Sequence, residues 1–124
     1  MATIACFEDI EAWQKARILC QMIYKCTLRN EFTQDMALSY QIRRSSGSVM
    51  DNIAEGFNRG YGKEFRRFLY YSKGSIAEVR SQLYRALDQN FISHIEFDQC
   101  INLSTQIANL IGGMIRYLNK TDQN

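Results

Sequence analysis

Apolar residues recur three and four positions apart through four stretches of the chain, the spacing that gathers side chains on one face of an α-helix. In the first stretch Ile10, Trp13, Ala16, Cys20, Ile23 and Tyr24 predict a helix from about Glu8 to Arg29. Glu8, Asp9 and Glu11 occupy its first turn and Lys25 and Arg29 its last, each favourable to the helix dipole. Asn30 to Phe32 read as a turn, and Thr33, with Asp35 behind it, as the N-cap of a second helix running to about Phe57. Its inward positions are Leu38, Ile42, Val49, Ile53 and Phe57. Two glycines in three residues, Gly60-Tyr-Gly62, mark the clearest break. A third helix follows from about Lys63 to Gln89, with Phe65, Phe68, Leu69, Ser72, Ile76, Val79, Leu83, Ala86 and Leu87 on one side. Asn90 suits a left-handed cap behind it.

The fourth helix, from about His94 to Leu118, has the best start signal. Ser93 and Glu96 form a capping box, flanked by Ile92 and Phe97 at the hydrophobic-staple positions. Its core positions are Cys100, Leu103, Ile107, Leu110, Ile111, Met114, Tyr117 and Leu118, and the final KTDQN reads as a frayed tail. Four helices with short connections predict one all-α domain over residues 1–124, an antiparallel up-down-up-down four-helix bundle.

Composition supports that pattern. The 124 residues contain no proline, which disfavours sandwiches and barrels with their many turns. With 46% hydrophobic and 23% charged residues the chain is ordinary for a globular protein. No apolar run approaches the roughly 20 residues of a membrane helix. The first ten residues, MATIACFEDI, lack the basic and apolar regions of a secretory signal. Cys6, Cys20, Cys26 and Cys100 form no C-x-x-C pair, so reduced thiols and a cytoplasmic location are expected.

Little in the chain suggests catalysis. Its one histidine, His94, cannot supply the paired Glu-x-x-His motifs of di-iron bundles, and scattered cysteines make no zinc pattern. Gly60-Tyr-Gly62 lacks the third glycine and the preceding strand of a phosphate loop. Asp51 and Glu55, one helical turn apart, read better as a polar face with Glu55 near a basic partner than as paired catalytic carboxylates. No enzyme activity, metal or cofactor is expected.

Charge is uneven. The formal net charge is +2, yet Arg43 to Arg85 holds nine bases against four acids, a net +5, while the other residues carry −3. On the third helix Lys63, Arg66, Tyr70, Lys73, Ala77, Arg80 and Tyr84 share one direction, about a quarter turn from the core stripe. Bases interleaved with aromatics suit phosphate pairing and stacking on nucleic-acid bases. A solvated face whose tyrosines cover the core edge fits the same pattern. On the second helix Gln41, Arg44, Ser48, Asn52, Glu55 and Arg59 form a stripe of short or fork-shaped hydrogen-bonding groups. That composition suits a packed surface in which each group needs a partner, as well as a plain polar face. Ile18 and Met22, with Ile101, Ala108 and Ile115, widen the apolar arcs of the first and fourth helices, a signal for self-association.

Several motifs resemble those of a known family. Phe7-Glu-Asp-Ile10 with Trp13-Gln-Lys-Ala16 resembles the opening of the rRNA intervening-sequence proteins. Gln41-Ile-Arg-Arg44, Ser48, Asn52-Ile-Ala-Glu-Gly56 and Arg59 resemble its central motif. Glu64-Phe65, Phe68-Leu69 and Gly74-Ser75 with Glu78 resemble its third, with Ser72 where the family has alanine. The resemblance implies a small cytoplasmic four-helix bundle, similar in fold to the accessory protein of diversity-generating retroelements, which works with a reverse transcriptase and RNA. It implies a ring-shaped homopentamer with a basic surface, and it carries over Asn52, Glu55, Arg59, Ser75 and Glu78 as motif residues rather than catalytic ones. A nucleic-acid-binding or RNA-associated accessory protein is therefore expected first, and a protein–protein scaffold with a basic surface second.

Overall fold

The computed structural model describes residues 4–60 and 62–122, and among these it contains helices and no strand. Four long helices carry the fold: α1 (Glu11–Thr27), α3 (Met36–Asn58), α4 (Lys63–Asp88) and α5 (His94–Asp122), with a short α2 (Asn30–Gln34) between the first two. α1 and α4 each pack against both α3 and α5, closing a ring around one core. Bonds between neighbours run in opposite senses: Arg43 to Thr27 and Cys20 to Met50 between α3 and α1, Ser75 to Ser48 and Arg85 to Gln41 between α4 and α3, and Arg66 to Asn119 and Arg80 to Thr105 between α4 and α5.

The first helix starts later and ends sooner than its pattern predicts. A 3-10 turn at Phe7–Asp9 precedes it, and Ile10 takes an extended conformation that buries its side chain to 2% exposure. Phe7 sits edge-on to Trp13 at 5.1 Å, and the Gln14 side chain donates to the Glu8 carbonyl, so packing and a local bond set the break. Leu19 is fully buried although the predicted stripe omits it, and Tyr24 points outward with its ring under Arg43. The true buried face of α1 is thus rotated toward Ala12, Ala16, Leu19 and Ile23.

Asn30 to Phe32 belong to α2 rather than to a simple turn. Such a short helix has little stability of its own. It is anchored by Phe32, buried and stacked on Phe91 at 5.0 Å. Thr33 is not the N-cap of the next helix; its hydroxyl donates to the Thr27 carbonyl. Asp35 takes that role, accepting from the Leu38 amide at 3.0 Å. At the other end Gly60 and Gly62, with φ of 108° and 91°, supply the positive dihedrals that turn the chain into α4. Tyr61 lies outside the described residues.

α4 ends at Asp88 rather than Gln89, followed by Asn90 at φ 60°, the expected left-handed residue. The capping box is present in both directions. The Glu96 amide meets Ser93 Oγ at 3.1 Å and the Ser93 amide meets Glu96 Oε1 at 2.9 Å. Ile92 and Phe97, its staple pair, are both buried. α5 continues to Asp122, one turn past the predicted end, so much of the expected tail is helical. Tyr117 faces solvent instead of the core, and Ile115 takes the buried place. Met22, Ile101 and Ala108 are half-buried against the core, which leaves Ile18 as the exposed member of the predicted arcs.

Candidate nucleic-acid interface

α4 shares a long edge with each neighbour, and the two predicted stripes lie along those edges. On the α5 edge Arg66 donates to Asn119 Oδ1 at 3.1 Å, and Arg80 to Thr105 Oγ1 at 2.6 Å and Ser104 Oγ at 3.3 Å. These acceptors are neutral, so the bonds order the guanidinium groups without themselves cancelling charge. Lys63 and Lys73 are exposed and form no ion pair among the described residues, and Tyr70 is half exposed. Tyr84 stands edge-on to Phe97 at 4.9 Å, so one of the stripe's tyrosines does roof the core edge.

The facing side of α5 reinforces the charge. Thr105, Gly112, Arg116 and Asn119 share one side of that helix at about 100° per residue. No acid occurs between Asp98 and Asp122, while Arg116 and Lys120 are exposed there. Lys63, Lys73, Arg80, Arg116 and Lys120 thus place positive charge along one edge, with Arg66 beside them, an arrangement that attracts a polyanion from a distance.

The α3 edge differs in kind. Ser48 Oγ accepts from Asn52 Nδ2 at 2.9 Å and from Ser75 Oγ at 3.0 Å, joining three motif residues across the two helices. Ser72, buried at the position where the resembled motif has alanine, donates to the Val49 carbonyl at 2.7 Å. Gly56 has its own reason: a methyl group there would lie 2.5 Å from Phe68 Cβ. The remaining members of the predicted polar stripe are not packed. Gln41, Arg44, Glu55 and Arg59 are exposed, and Glu55 pairs with Arg59 at 2.9 Å in a solvated i,i+4 bridge. Ser48 and Asn52 are the half-buried, bonded members of that stripe, Gln41 accepts from Arg85 across the edge at 3.1 Å, and Glu55 has the basic partner its spacing suggests.

A groove of about 410 Å³ opens along this edge, between Arg44, Ser45 and Ser48 of α3 and Ser75, Glu78 and Gln82 of α4. Gln82 is 8% exposed, and its Oε1 is buried with no hydrogen-bond partner among the described residues. No spacing rule singles out this residue in the sequence; the orphaned carbonyl is visible only in the folded chain.

The cysteines offer no activated nucleophile. Burial pushes the Cys20, Cys26 and Cys100 thiols up, Cys100 to about 12, and a hydrogen bond to Asp9 raises Cys6. All four are free thiols. His94 is exposed on the first turn of α5. Among the described residues no three His, Cys, Asp or Glu gather closely enough to hold a metal ion, and no helix is long and apolar enough to cross a membrane.

Comparison with known proteins bears on the fold and the lineage. No curated protein matches the chain. A crystal structure from Bacteroides thetaiotaomicron, described as a protein with unknown function from the S23 ribosomal protein family, superposes with a TM-score of 0.74 at 22% identity. The match spans 84% of this chain and 97% of that one, and it shows a shared fold. The family described as 23S rRNA-intervening sequence protein matches residues 8–113, across all four long helices and the motifs on both edges of α4, and the chain belongs to that family.

Proposed function

We propose that the protein is a non-catalytic nucleic-acid-binding accessory protein, associated with RNA and acting in the cytoplasm as a homo-oligomer, by resemblance a pentamer. The observation that carries this reading is the basic α4–α5 edge, where Arg80 is held by the neutral oxygens of Ser104 and Thr105 among exposed Lys63, Lys73, Arg116 and Lys120. A preordered guanidinium group loses less freedom on meeting phosphate than a free one. Tyr70, half exposed between Arg66 and Lys73, offers a ring on which an unpaired base can stack.

Self-association draws support from a second region. Tyr24 and Leu28 at the end of α1, and Met36 and Tyr40 at the start of α3, are exposed to between 50% and 75%. Exposed large apolar groups collected at one end of a bundle favour burial against another chain.

The test is binding of single-stranded RNA and DNA across a salt series, by fluorescence anisotropy. Binding is expected to both, with affinity falling steeply as salt rises. The triple variant R66Q/K73Q/R80Q keeps hydrogen-bonding side chains at all three positions. It is expected to flatten the salt dependence by roughly 0.7 per lost contact on a single strand, independent of sequence. Parent-like binding and slope in that variant would overturn the interface. Light scattering after size exclusion tests the assembly; a monomer at micromolar concentration would overturn it.

A further inference from the structure

α4 carries three tyrosines, Tyr70, Tyr71 and Tyr84, each about half exposed, and two of them are engaged. The Tyr71 ring stands edge-on to Phe68 at 5.4 Å, with the Arg67 guanidinium 5.9 Å from its centre, and Tyr84 stands edge-on to Phe97. Tyr70 has no ring contact, cation contact or hydrogen bond among the described residues. Side chains on a helix lean back over the preceding turn, so the residue placed to cover Tyr70 from its C-terminal side is the one four positions on. That residue is Gly74, exposed, where an added methyl group would meet no neighbouring side chain within 4 Å. Ala77, next on that side, is exposed and carries only a methyl group. At about 100° per residue Tyr70, Gly74 and Ala77 fall within about 60° of one direction, on the outer ridge of α4 beside its α5 edge. Glycine in a helix interior costs stability relative to alanine. At Gly56 the close approach of Phe68 accounts for that cost, whereas at Gly74 no packing contact does.

We propose that Gly74 opens a stacking slot on the C-terminal side of Tyr70 for one unpaired base of a single-stranded nucleic acid, a role that rests on the nucleic-acid reading above. The flanking charge fits that occupant. Lys73 is exposed without an ion pair among the described residues, and Arg80, held by Ser104 and Thr105, lies on the same side about 10 Å further along the helix. Both are available to the phosphates that flank a stacked base. Glu78, the acid one turn beyond Gly74, lines the groove on the opposite, α3 edge. Every base has a π-face, so stacking on tyrosine tolerates any sequence. In a duplex those faces are already covered by neighbouring base pairs. The slot therefore selects single strands over duplexes, and not one base over another.

The experiment uses the full chain and an oligouridine with one central 2-aminopurine, whose fluorescence falls when the base stacks. Binding to the parent is expected to quench it. Tyr70→Ala is expected to remove the quenching and to weaken binding about tenfold, within the range for one lost base–aromatic stack. Tyr70→Phe, which retains the ring, is expected to bind as the parent does. Gly74→Gln lays a long uncharged side chain over Tyr70 and is expected to match the losses of Tyr70→Ala. Glutamine favours a helix more than glycine, so the melting temperature of Gly74→Gln is expected to equal or exceed the parent's, which separates a filled slot from a damaged fold. Binding of duplex RNA is expected to be unchanged in either variant.

Quenching and affinity unchanged in both Tyr70→Ala and Gly74→Gln would overturn the slot, and so would equal losses for single strand and duplex. If R66Q/K73Q/R80Q flattens the salt dependence while those two variants bind as the parent does, the interface stands and the slot falls. A parent chain without salt-dependent binding overturns both. If the two variants change the mass of the assembly in light scattering and leave oligonucleotide binding unchanged, the ridge is a contact between copies and the proposal falls.

Discussion

Along its α3 edge α4 closes on its neighbour through small side chains, and along its α5 edge it is held by long ones. On the first edge Gly56 admits Phe68, Ser72 reaches a backbone carbonyl of α3, and Ser75 meets Ser48. On the second, Arg66 and Arg80 span to Asn119, Ser104 and Thr105, and Tyr84 leans on Phe97. Around Gly56 and Ser72 small residues permit close approach, so substitutions there alter packing directly. Long polar side chains bridge a gap while their charged ends stay near solvent. The first edge therefore sets stability, and the second is free to carry a ligand-binding surface.

The largest effect expected from this contrast is at Gly56. Gly56→Ala pushes a methyl group against Phe68 Cβ, with Phe65 Cδ1 also only 3.2 Å away. Overpacking of this kind costs about 1–3 kcal/mol, partly offset by the ~1 kcal/mol helix gain of alanine over glycine. At Gly74, the glycine of the third motif, an added methyl group would meet no neighbouring side chain within 4 Å, so Gly74→Ala retains that gain alone. Denaturant titration is expected to show Gly56→Ala less stable and Gly74→Ala more stable than the parent. Two glycines of the same family motifs then move in opposite directions, and equal shifts would mean the close edge is not close.

Next come the small hydroxyls. Ser72→Ala and Ser48→Ala each remove bonds across the α3 edge, at an expected cost of about 0.5–1.5 kcal/mol. Smaller again are Arg66→Gln and Arg80→Gln, expected within about 0.5 kcal/mol of the parent because their bonds lie at a partly solvated surface. Should either glutamine variant destabilise more than Ser72→Ala, as judged by thermal melts, the division of labour between the edges is wrong.

How much of the fold is legible in the sequence depends on whether the cause is local. The Ser93–Glu96 box and the left-handed Asn90 follow from near neighbours along the chain, and both stand where the spacing predicts. The start of α1 and the helix at Asn30–Gln34 do not, because burial of Ile10 and the stacking of Phe32 on Phe91 depend on distant partners. Similarly, Arg29 is readable as a cation complementing a helix end, but its ion pair with Glu96, the same residue that closes the α5 capping box, ties the α1–α2 junction to α5 across 67 positions of sequence. For the candidate sites, periodicity places Arg66 and Arg80 on one face; it cannot say that side chains of α5 hold them. Gln82 is invisible, since an amide at a core-edge position becomes informative only when its neighbours fail to satisfy it.

The smallest expected effect concerns Glu55, the acid of the central motif. The sequence pattern groups it with Ser48 and Asn52 as one hydrogen-bonding stripe, but the fold separates them. Asn52 donates to the Ser48 carbonyl at 2.8 Å and to its hydroxyl, and is half-buried. Glu55 and Arg59 retain side-chain exposures of 54% and 49%. A solvated pair of that kind is worth roughly 0–1 kcal/mol, and about 0.3–0.5 kcal/mol for an i,i+4 pair. Arg59 has a second contact, its guanidinium 4.9 Å from the centre of the Phe68 ring, so removing Glu55 leaves Arg59 still placed over Phe68. Glu55→Ala is thus expected to shift stability by no more than about 0.5 kcal/mol, and Asn52→Ala by more, about 1 kcal/mol. A double-mutant cycle with Arg59→Ala isolates the pair, and raising the salt concentration is expected to shrink its coupling further. If Glu55→Ala leaves the isolated fold intact yet dissociates the proposed oligomer, the carboxylate belongs to the interface between copies. A loss of stability larger than that of Asn52→Ala would instead place Glu55 within the packed α3 edge and erase the distinction between the two residues.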